Sequence, residues 1–468
     1  MKSFLITLTR NPISLIGAAF TTATALLFLA LFILGLLGVE GGPYLGILAY
    51  LVLPGLFVLG LLLIPIGLWR QRRLDRKAAA AGVERRHFPV FDLNDPAVRN
   101  RVMVFIFLTL INVVILSAAS YKGVETMETT RFCGETCHTV MQPEFTAFQR
   151  SPHANSRCVD CHIGPGASWF VKSKLSGSWQ VIAVAFDLYP RPIPTPVHNL
   201  RPARETCQQC HWPAKFVGDR LKVIPGYADD EANSEQKSVL LMRVGGKQGS
   251  ASQGIHWHVD PGVTIRYLSD DKRETIYEVE LRDAKGGVRN YKASEGKAPA
   301  NAVWRTMDCV DCHNRPSHTF RPPEAEVDQA MSDGRIPRDL PFVHRESVRL
   351  LRASYKTWDE AHQGISNGLQ AFYAQQFPAV AAAKAAAIRD TAAALDTIYR
   401  SNVFPLMKVG WGTYPNHIGH ENSPGCFRCH DDAHQTADGR TIPQDCSLCH
   451  GLLAVQEKDP EILRSLQQ

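Results

Sequence analysis

The chain has 468 residues, with 51 basic and 45 acidic side chains, a formal charge of +6, twelve cysteines and 17 histidines. That length implies two or more structural units rather than one compact domain. The excess of positive charge is no argument for a nucleic-acid ligand. Eleven of the basic and five of the acidic residues lie in the first 121, so the remainder carries 40 of each.

The chain begins with long apolar runs. No charged residue occurs from Asn11 to Val39, from Gly41 to Trp69, or from Val102 to Tyr121. An apolar helix of about 20 residues crosses the hydrocarbon core of a bilayer. Three transmembrane helices are therefore predicted, near 13–38, 45–69 and 102–119. A buried core helix is the alternative for any one of them, but three such runs precede residue 122 and none follows it. Nine basic residues, Arg70 to Arg101, lie between the second and third runs, whereas the connection between the first and second carries only Glu40. Positive charge stays on the cytoplasmic side. The N-terminus is then cytoplasmic, and everything after Tyr121 is periplasmic at a bacterial inner membrane.

Six regions follow from this reading. Residues 1–121 form the anchor, with a basic cytoplasmic loop at 70–101. A cysteine-dense segment spans 122–211. Residues 212–308 hold no cysteine, and alternating runs such as "VTIRYL" and "TIYEVELRD" predict a small β-rich insertion. A single cysteine motif occupies 309–321. Residues 322–405 are predicted helical, with "AVAAAKAAAIRDTAAALDTIYR" a strong helix on propensity. Two further motifs fall in 406–468. The expected fold class is thus a three-helix membrane anchor followed by a domain of helix and loop with a β-rich insertion.

All twelve cysteines follow the last apolar run, and all are paired. Five pairs read CxxCH: Cys158–Cys161–His162, Cys207–Cys210–His211, Cys309–Cys312–His313, Cys426–Cys429–His430 and Cys446–Cys449–His450. The sixth, "CGETCH" at Cys133–Cys137–His138, has one extra residue between its thiols. Two nearby thiols add across the two vinyl groups of one haem, and the adjoining histidine reaches the iron, so this pattern marks c-type haem attachment. Disulfides or zinc do not require a histidine after every second cysteine. Six covalent c-type haems are expected, making the soluble part a multihaem cytochrome c domain whose core is supplied largely by the cofactors.

Low-spin haems need a second strong iron ligand. Candidates are Met141, three residues after His138; His153 and His198, each shortly before a motif; His318, five residues past His313; and His417, His420 and His434 around the motif at Cys426. In "GIHWHVD", His256 and His258 are predicted to share one face of a strand, so that only one of them would ligate. His344 and His362 are weaker candidates in helical surroundings.

An anchor followed by a first motif and Met141, an "SPH" histidine at His153, the lysines Lys172 and Lys174, and a third motif by His211 resembles the NapC/NirT family of membrane-anchored cytochromes c. The three-helix anchor, the insertion and the distal motifs are similar to the larger ImcH-like inner-membrane cytochromes. The resemblance implies quinol oxidation at the periplasmic face. It makes Met141 a candidate ligand of the first haem, and Lys172 or Lys174 a candidate quinol contact. The family's nearby carboxylate has no counterpart between Ile163 and Phe186, where Gln180 is a candidate polar contact. Menaquinol or ubiquinol would be the substrate, and a periplasmic cytochrome or reductase the electron acceptor. Two other readings stay open: an electron-relay subunit of a larger membrane complex, and a reductase of a small nitrogen oxyanion with one haem left open.

Overall fold

The computed structural model describes residues 12–36, 52–80, 92–136, 138–164, 167–197, 200–212, 216, 218–248 and 251–466. It divides into two units, residues 1–136 and 137–468.

Among the described residues the first unit contains three long helices: α1 (Pro12–Leu36), α2 (Leu53–Ala80) and α3 (Pro96–Met127). Each is long and apolar enough to cross a membrane. The expected start of the second span at 45 lies outside the described residues. The helices also run further than the apolar runs. α2 continues through the basic stretch to Ala80 and α3 starts at Pro96 and ends at Met127. Hydropathy marks the lipid-facing portion, whereas Arg, Lys and Ala at the ends are good helix formers that need no lipid. Asp95 caps α3 by accepting the Ala97 N–H at 2.8 Å, and Pro96 fits the first helical position. Many apolar side chains of α3, including Phe107 and Val114, point outward. α1 and α2 pack closely through small residues. A Cβ on Gly17 would lie 2.8 Å from the Gly60 carbonyl oxygen, and the Ser14 hydroxyl donates to the Ile64 carbonyl at 3.0 Å.

The second unit begins with α4 (His138–Gln149), α5 (Cys158–His162), α6 (Ala167–Ala185) and α7 (Ala203–Cys207). Next come β1 (Arg220–Tyr227), β2 (Glu235–Met242), the short hairpin β3 (Gly246–Gln248) and β4 (Ala251–Gln253), β5 (Thr264–Ser269), β6 (Ile276–Arg282), β7 (Val288–Ala293) and β8 (Val303–Thr306). After α8 (Cys309–Cys312) the chain is helical through α9 (Pro323–Ser332), α10 (Val343–Leu351), α11 (Trp358–Gln376), α12 (Pro378–Ala383) and α13 (Ala385–Asn402). It ends with β9 (His434–Gln435), β10 (His450–Glu457) and α14 (Glu461–Ser465).

The β-rich region is not self-contained. A five-stranded antiparallel sheet has the order β8-β5-β6-β7-β9, and a three-stranded one has the order β1-β2-β10. Both therefore take an edge strand from the C-terminal region. In β5 the side chains alternate, with Ile265 and Tyr267 buried on one face, as a half-buried strand requires.

The helical segment carries a protein core of its own, against the expectation that cofactors would supply most of it. Val327, Leu340, Leu351, Ile365, Leu369, Tyr373 and Leu395 are fully buried in one cluster. The spacing Ala361–Ile365–Leu369–Tyr373 places one stripe of α11 inward. The alanine-rich stretch is two helices rather than one. It breaks at Lys384, whose ammonium donates to the Asp339 carboxylate at 2.6 Å.

Candidate haem-binding sites

Each regular motif lies on a tight helical turn. Cys158–His162 forms α5, Cys309–Cys312 forms α8, Cys207 ends α7, and the last two motifs lie on 3-10 turns at Gly425–Arg428 and Cys446–Leu448. Residues three apart on such a turn share one side, so both thiols of a CxxC face the same space. Acidic side chains hold these turns. Asp308 caps α8 by accepting the Cys309 N–H at 2.7 Å, and Asp311, between the two cysteines, accepts the Asp308 N–H at 2.7 Å. Cys207, Cys210, Cys309, Cys312, Cys426, Cys429, Cys446 and Cys449 take part in no disulfide.

The histidines following the five regular motifs each face one other histidine. Ring centroids are 6.1 Å apart for His162 and His318, 6.0 Å for His211 and His153, and 6.3 Å for His313 and His256. The separation is 5.8 Å for His430 and His258, and 6.2 Å for His450 and His420. Metal–imidazole bonds of about 2.0–2.1 Å, plus roughly 1.1 Å from nitrogen to ring centre, put two imidazoles on opposite sides of one iron about 6.2–6.4 Å apart. Ordinary aromatic pairs also fall in this range. Chance pairing does not explain why every pair joins one motif histidine to one histidine outside a motif.

Hydrogen bonds orient several of these rings. His256 Nδ1 donates to the Val244 carbonyl at 2.9 Å, His258 Nδ1 to Ile255 at 2.7 Å, His318 Nδ1 to Glu144 at 2.9 Å, and His430 Nδ1 to Pro443 at 2.9 Å. A carbonyl only accepts, so Nδ1 carries the proton and Nε2 keeps a lone pair for a metal, the usual outer-shell arrangement of a ligating histidine. Burial lowers the pKa of His258 and His450, and the facing imidazole lowers each further. Both rings are thus kept neutral, as ligation requires. His153 Nδ1 and His450 Nδ1 are buried with no hydrogen-bond partner among the described residues. Paired thiols, an adjoining imidazole and a facing imidazole form the donor set of a bis-histidine c-type haem, and the residues present fit that group.

The strand expected at "GIHWHVD" is a 3-10 turn, Ile255–Val259. With three residues per turn, His256 and His258 diverge instead of sharing a face, and each meets a different motif histidine. Alternation of polar and apolar residues mimicked a strand there. His434 has both ring nitrogens engaged, Nδ1 with the Asp431 carboxylate at 2.9 Å and Nε2 with the Ile276 carbonyl at 3.1 Å. His417 is buried and outside the five pairs, and burial, then Arg428, push its pKa down to about 4. His344 lies between Asp229 and Asp328, and His362 is exposed beside Asp396. His198, Cys137 and the His138 side chain lie outside what is described.

Met141 is half-buried against the apolar cluster of Phe404, Met407 and Tyr414. Lys172, Lys174 and Gln180 lie on α6. The Lys172 ammonium sits 4.5 Å from the Trp169 ring centroid, that of Lys174 4.8 Å from Phe170, and Gln180 donates to the Ser176 hydroxyl at 3.3 Å.

The motifs adjoin one another in chain order. α5 contacts α7, and α7 contacts α8. The Arg204 N–H donates to Asp308 at 3.2 Å, and the neighbouring Cys309 thiol lowers the pKa of Cys207. Arg428, inside the Cys426–His430 motif, donates to the Asp311 carbonyl at 2.5 Å. Phe427 of that same motif stacks on His420 at 4.3 Å, and His420 faces His450. Sequence reasoning missed the hub at Asp311, whose carboxylate also accepts from the Tyr267 hydroxyl and from Arg273 at 3.0 Å.

Residues 96–191 match the model of the NapC/NirT cytochrome c family, N-terminal region. The chain is 44% identical over 458 residues to the cytochrome c-type protein ImcH of Geobacter sulfurreducens, an alignment covering 96% of this chain and 90% of that protein. No solved structure matches. Three apolar helices, CxxCH motifs with facing histidines, and these two likenesses lead to one conclusion: the chain is a membrane-type c-type cytochrome that belongs to the NapC/NirT family, with the layout of ImcH.

Proposed function

We propose that this chain is a hexahaem quinol dehydrogenase of the bacterial inner membrane. It would oxidise menaquinol or ubiquinol at the periplasmic face and relay electrons to a periplasmic cytochrome or reductase. The observation that carries this reading is the contiguous series of five histidine pairs in chain order, with the sixth motif directly after α3. Bound haem supplies a one-electron couple at each site.

The chain's own residues have these roles. Cys133 with Cys137, Cys158 with Cys161, Cys207 with Cys210, Cys309 with Cys312, Cys426 with Cys429, and Cys446 with Cys449 would hold six haems covalently. His162 with His318, His211 with His153, His313 with His256, His430 with His258, and His450 with His420 would be the axial pairs. Ligation by two histidines at all five sites leaves no open iron among them for an oxyanion, which disfavours the reductase reading. His138 would be the proximal ligand of the haem at Cys133 and Cys137, with Met141 a candidate for its second ligand. Lys172 or Lys174 would orient the quinol hydroxyls and ease proton departure. Aromatic contacts under both ammonium groups hold them in place. The nine basic residues from Arg70 to Arg101, at the end of α2, at the start of α3 and between them, support a cytoplasmic N-terminus.

The test is to mix the purified full chain with a reduced menaquinol analogue and follow the visible haem bands. Reduction is expected, slowed in Lys172→Ala, Lys174→Ala or the double variant. No reduction by any quinol would sink the dehydrogenase reading in favour of a relay subunit. Five haems by mass spectrometry would remove the entry site at Cys133–Cys137.

A further inference from the structure

The turn that presents His256 and His258 is built on a close approach of two glycines. In the β3–β4 hairpin Gly246 pairs with Gln253, and Gly245 and Gly254 close its base. Gly254 has φ +129 and ψ 179, a conformation essentially restricted to glycine. A Cβ there would lie 2.4 Å from the Gly245 Cα, 2.6 Å from its nitrogen and 2.8 Å from the Arg243 oxygen. All three are backbone atoms, so no change of rotamer relieves the clash.

The next residues are stitched to the same short segment. The Ile255 N–H donates to the Arg243 carbonyl at 2.8 Å and the His256 N–H to Val244 at 3.2 Å. His256 Nδ1 also bonds the Val244 carbonyl, and His258 Nδ1 bonds that of Ile255. Both imidazoles thus take their position from one backbone contact, and they face His313 and His430. The segment also reaches the last motif, because the Arg243 N–H donates to the Cys449 carbonyl at 2.9 Å.

We propose that Gly254, closing on Gly245, is a positioning residue that sets the distal ligands of two haem sites at once, those at Cys309–His313 and Cys426–His430. This rests on the axial pairing proposed above. Gly245 is the facing backbone of this contact, since a Cβ on Gly254 would lie 2.4 Å from its Cα.

The experiment uses the full haem-loaded chain. Haems are counted by mass spectrometry, low-spin and high-spin iron by electron paramagnetic resonance, and open iron sites by cyanide titration. His256→Ala and His258→Ala should each open one site. Gly254→Ala should open two, with the haem count unchanged because no cysteine is altered. If each histidine variant opens one site while Gly254→Ala opens one or none, the positioning proposal is wrong and the ligand pairing stands. If neither histidine variant opens a site, the pairing fails and the proposal fails with it. Should Gly254→Ala not accumulate, Ile255→Pro removes the N–H bonded to Arg243, at a first helical position that accommodates proline, and Ile255→Ala controls for the lost side chain. Ile255→Pro should let cyanide reach two sites closed in the unaltered chain, and no gain in cyanide binding overturns the proposal.

Discussion

Asp311 is 3% exposed, and its carboxylate meets three donors: the Tyr267 hydroxyl, Arg273 at 3.0 Å and the Asp308 N–H at 2.7 Å. Burial, together with the Asp311 carboxylate, pushes the Tyr267 phenol upward, so it stays protonated and donates. Asp311→Ala strands that buried hydroxyl and the Arg273 guanidinium and removes half of the capping box of α8. Removing one partner of a buried pair costs about 3–5 kcal/mol. Arg273 is 27% exposed and recovers some hydration, which places the expected loss near the lower end, about 3 kcal/mol. At about 1.4 kcal/mol per factor of ten, that is roughly a 100-fold rise in local opening. Hydrogen exchange followed by mass spectrometry on a peptide covering 305–314 of the haem-loaded chain reads it directly. Asp311→Asn, which keeps an acceptor, should fall between. Exchange of Asp311→Ala within about threefold of the unaltered chain would refute the role of the hub, because threefold is under 1 kcal/mol.

Three further outcomes are expected. Burial lowers the pKa of His344, but the flanking Asp328 and Asp229 carboxylates outweigh it and the net shift is upward from 6.5. Its contribution to stability is then full below 6.5 and lost as pH rises through the folded value, so thermal midpoints of His344→Gln should show less decline above 6.5 than those of the unaltered chain. Leu395→Ala, at a fully buried position of the helical core, should cost about 2–5 kcal/mol, visible as faster proteolysis within 322–405. Gly60→Leu should separate α1 from α2, because a Cβ there already meets Thr21 Oγ1 at 2.6 Å and the Gly17 oxygen at 2.8 Å. Faster exchange in peptides from both helices would show it, and unchanged exchange would count against close packing of small residues.

What could be read in the sequence was what local chemistry imposes. Thioether attachment needs both thiols and a histidine within five residues, so five motifs are visible as text. A lipid span needs a charge-free run, so three helices are visible too. Iron ligation imposes no such spacing. His162 faces His318, and His211 faces His153 across an intervening motif, which no local pattern encodes. The turn at Ile255–Val259 was misread because two histidines flanking a tryptophan alternate like a strand, whereas the Gly254 backbone decides otherwise. The C-terminal strands β9 and β10 join sheets formed more than 100 residues earlier, and only the register displays that.

The pairing of distant histidines also sets an order of completion during synthesis. As the chain grows from its amino end, the site at Cys207–His211 has both its imidazoles once residue 211 is made. The site at Cys158–His162 was begun earlier, yet it waits for His318 and is completed only after the one at Cys309–His313, which needs His256. A haem attached at Cys158 and Cys161 would therefore spend the synthesis of some 150 residues with its second ligand missing. A nascent chain halted between residues 313 and 318 would carry two finished histidine pairs and an unfinished one, so the Cys158–His162 motif is where premature termination would leave iron lacking a ligand.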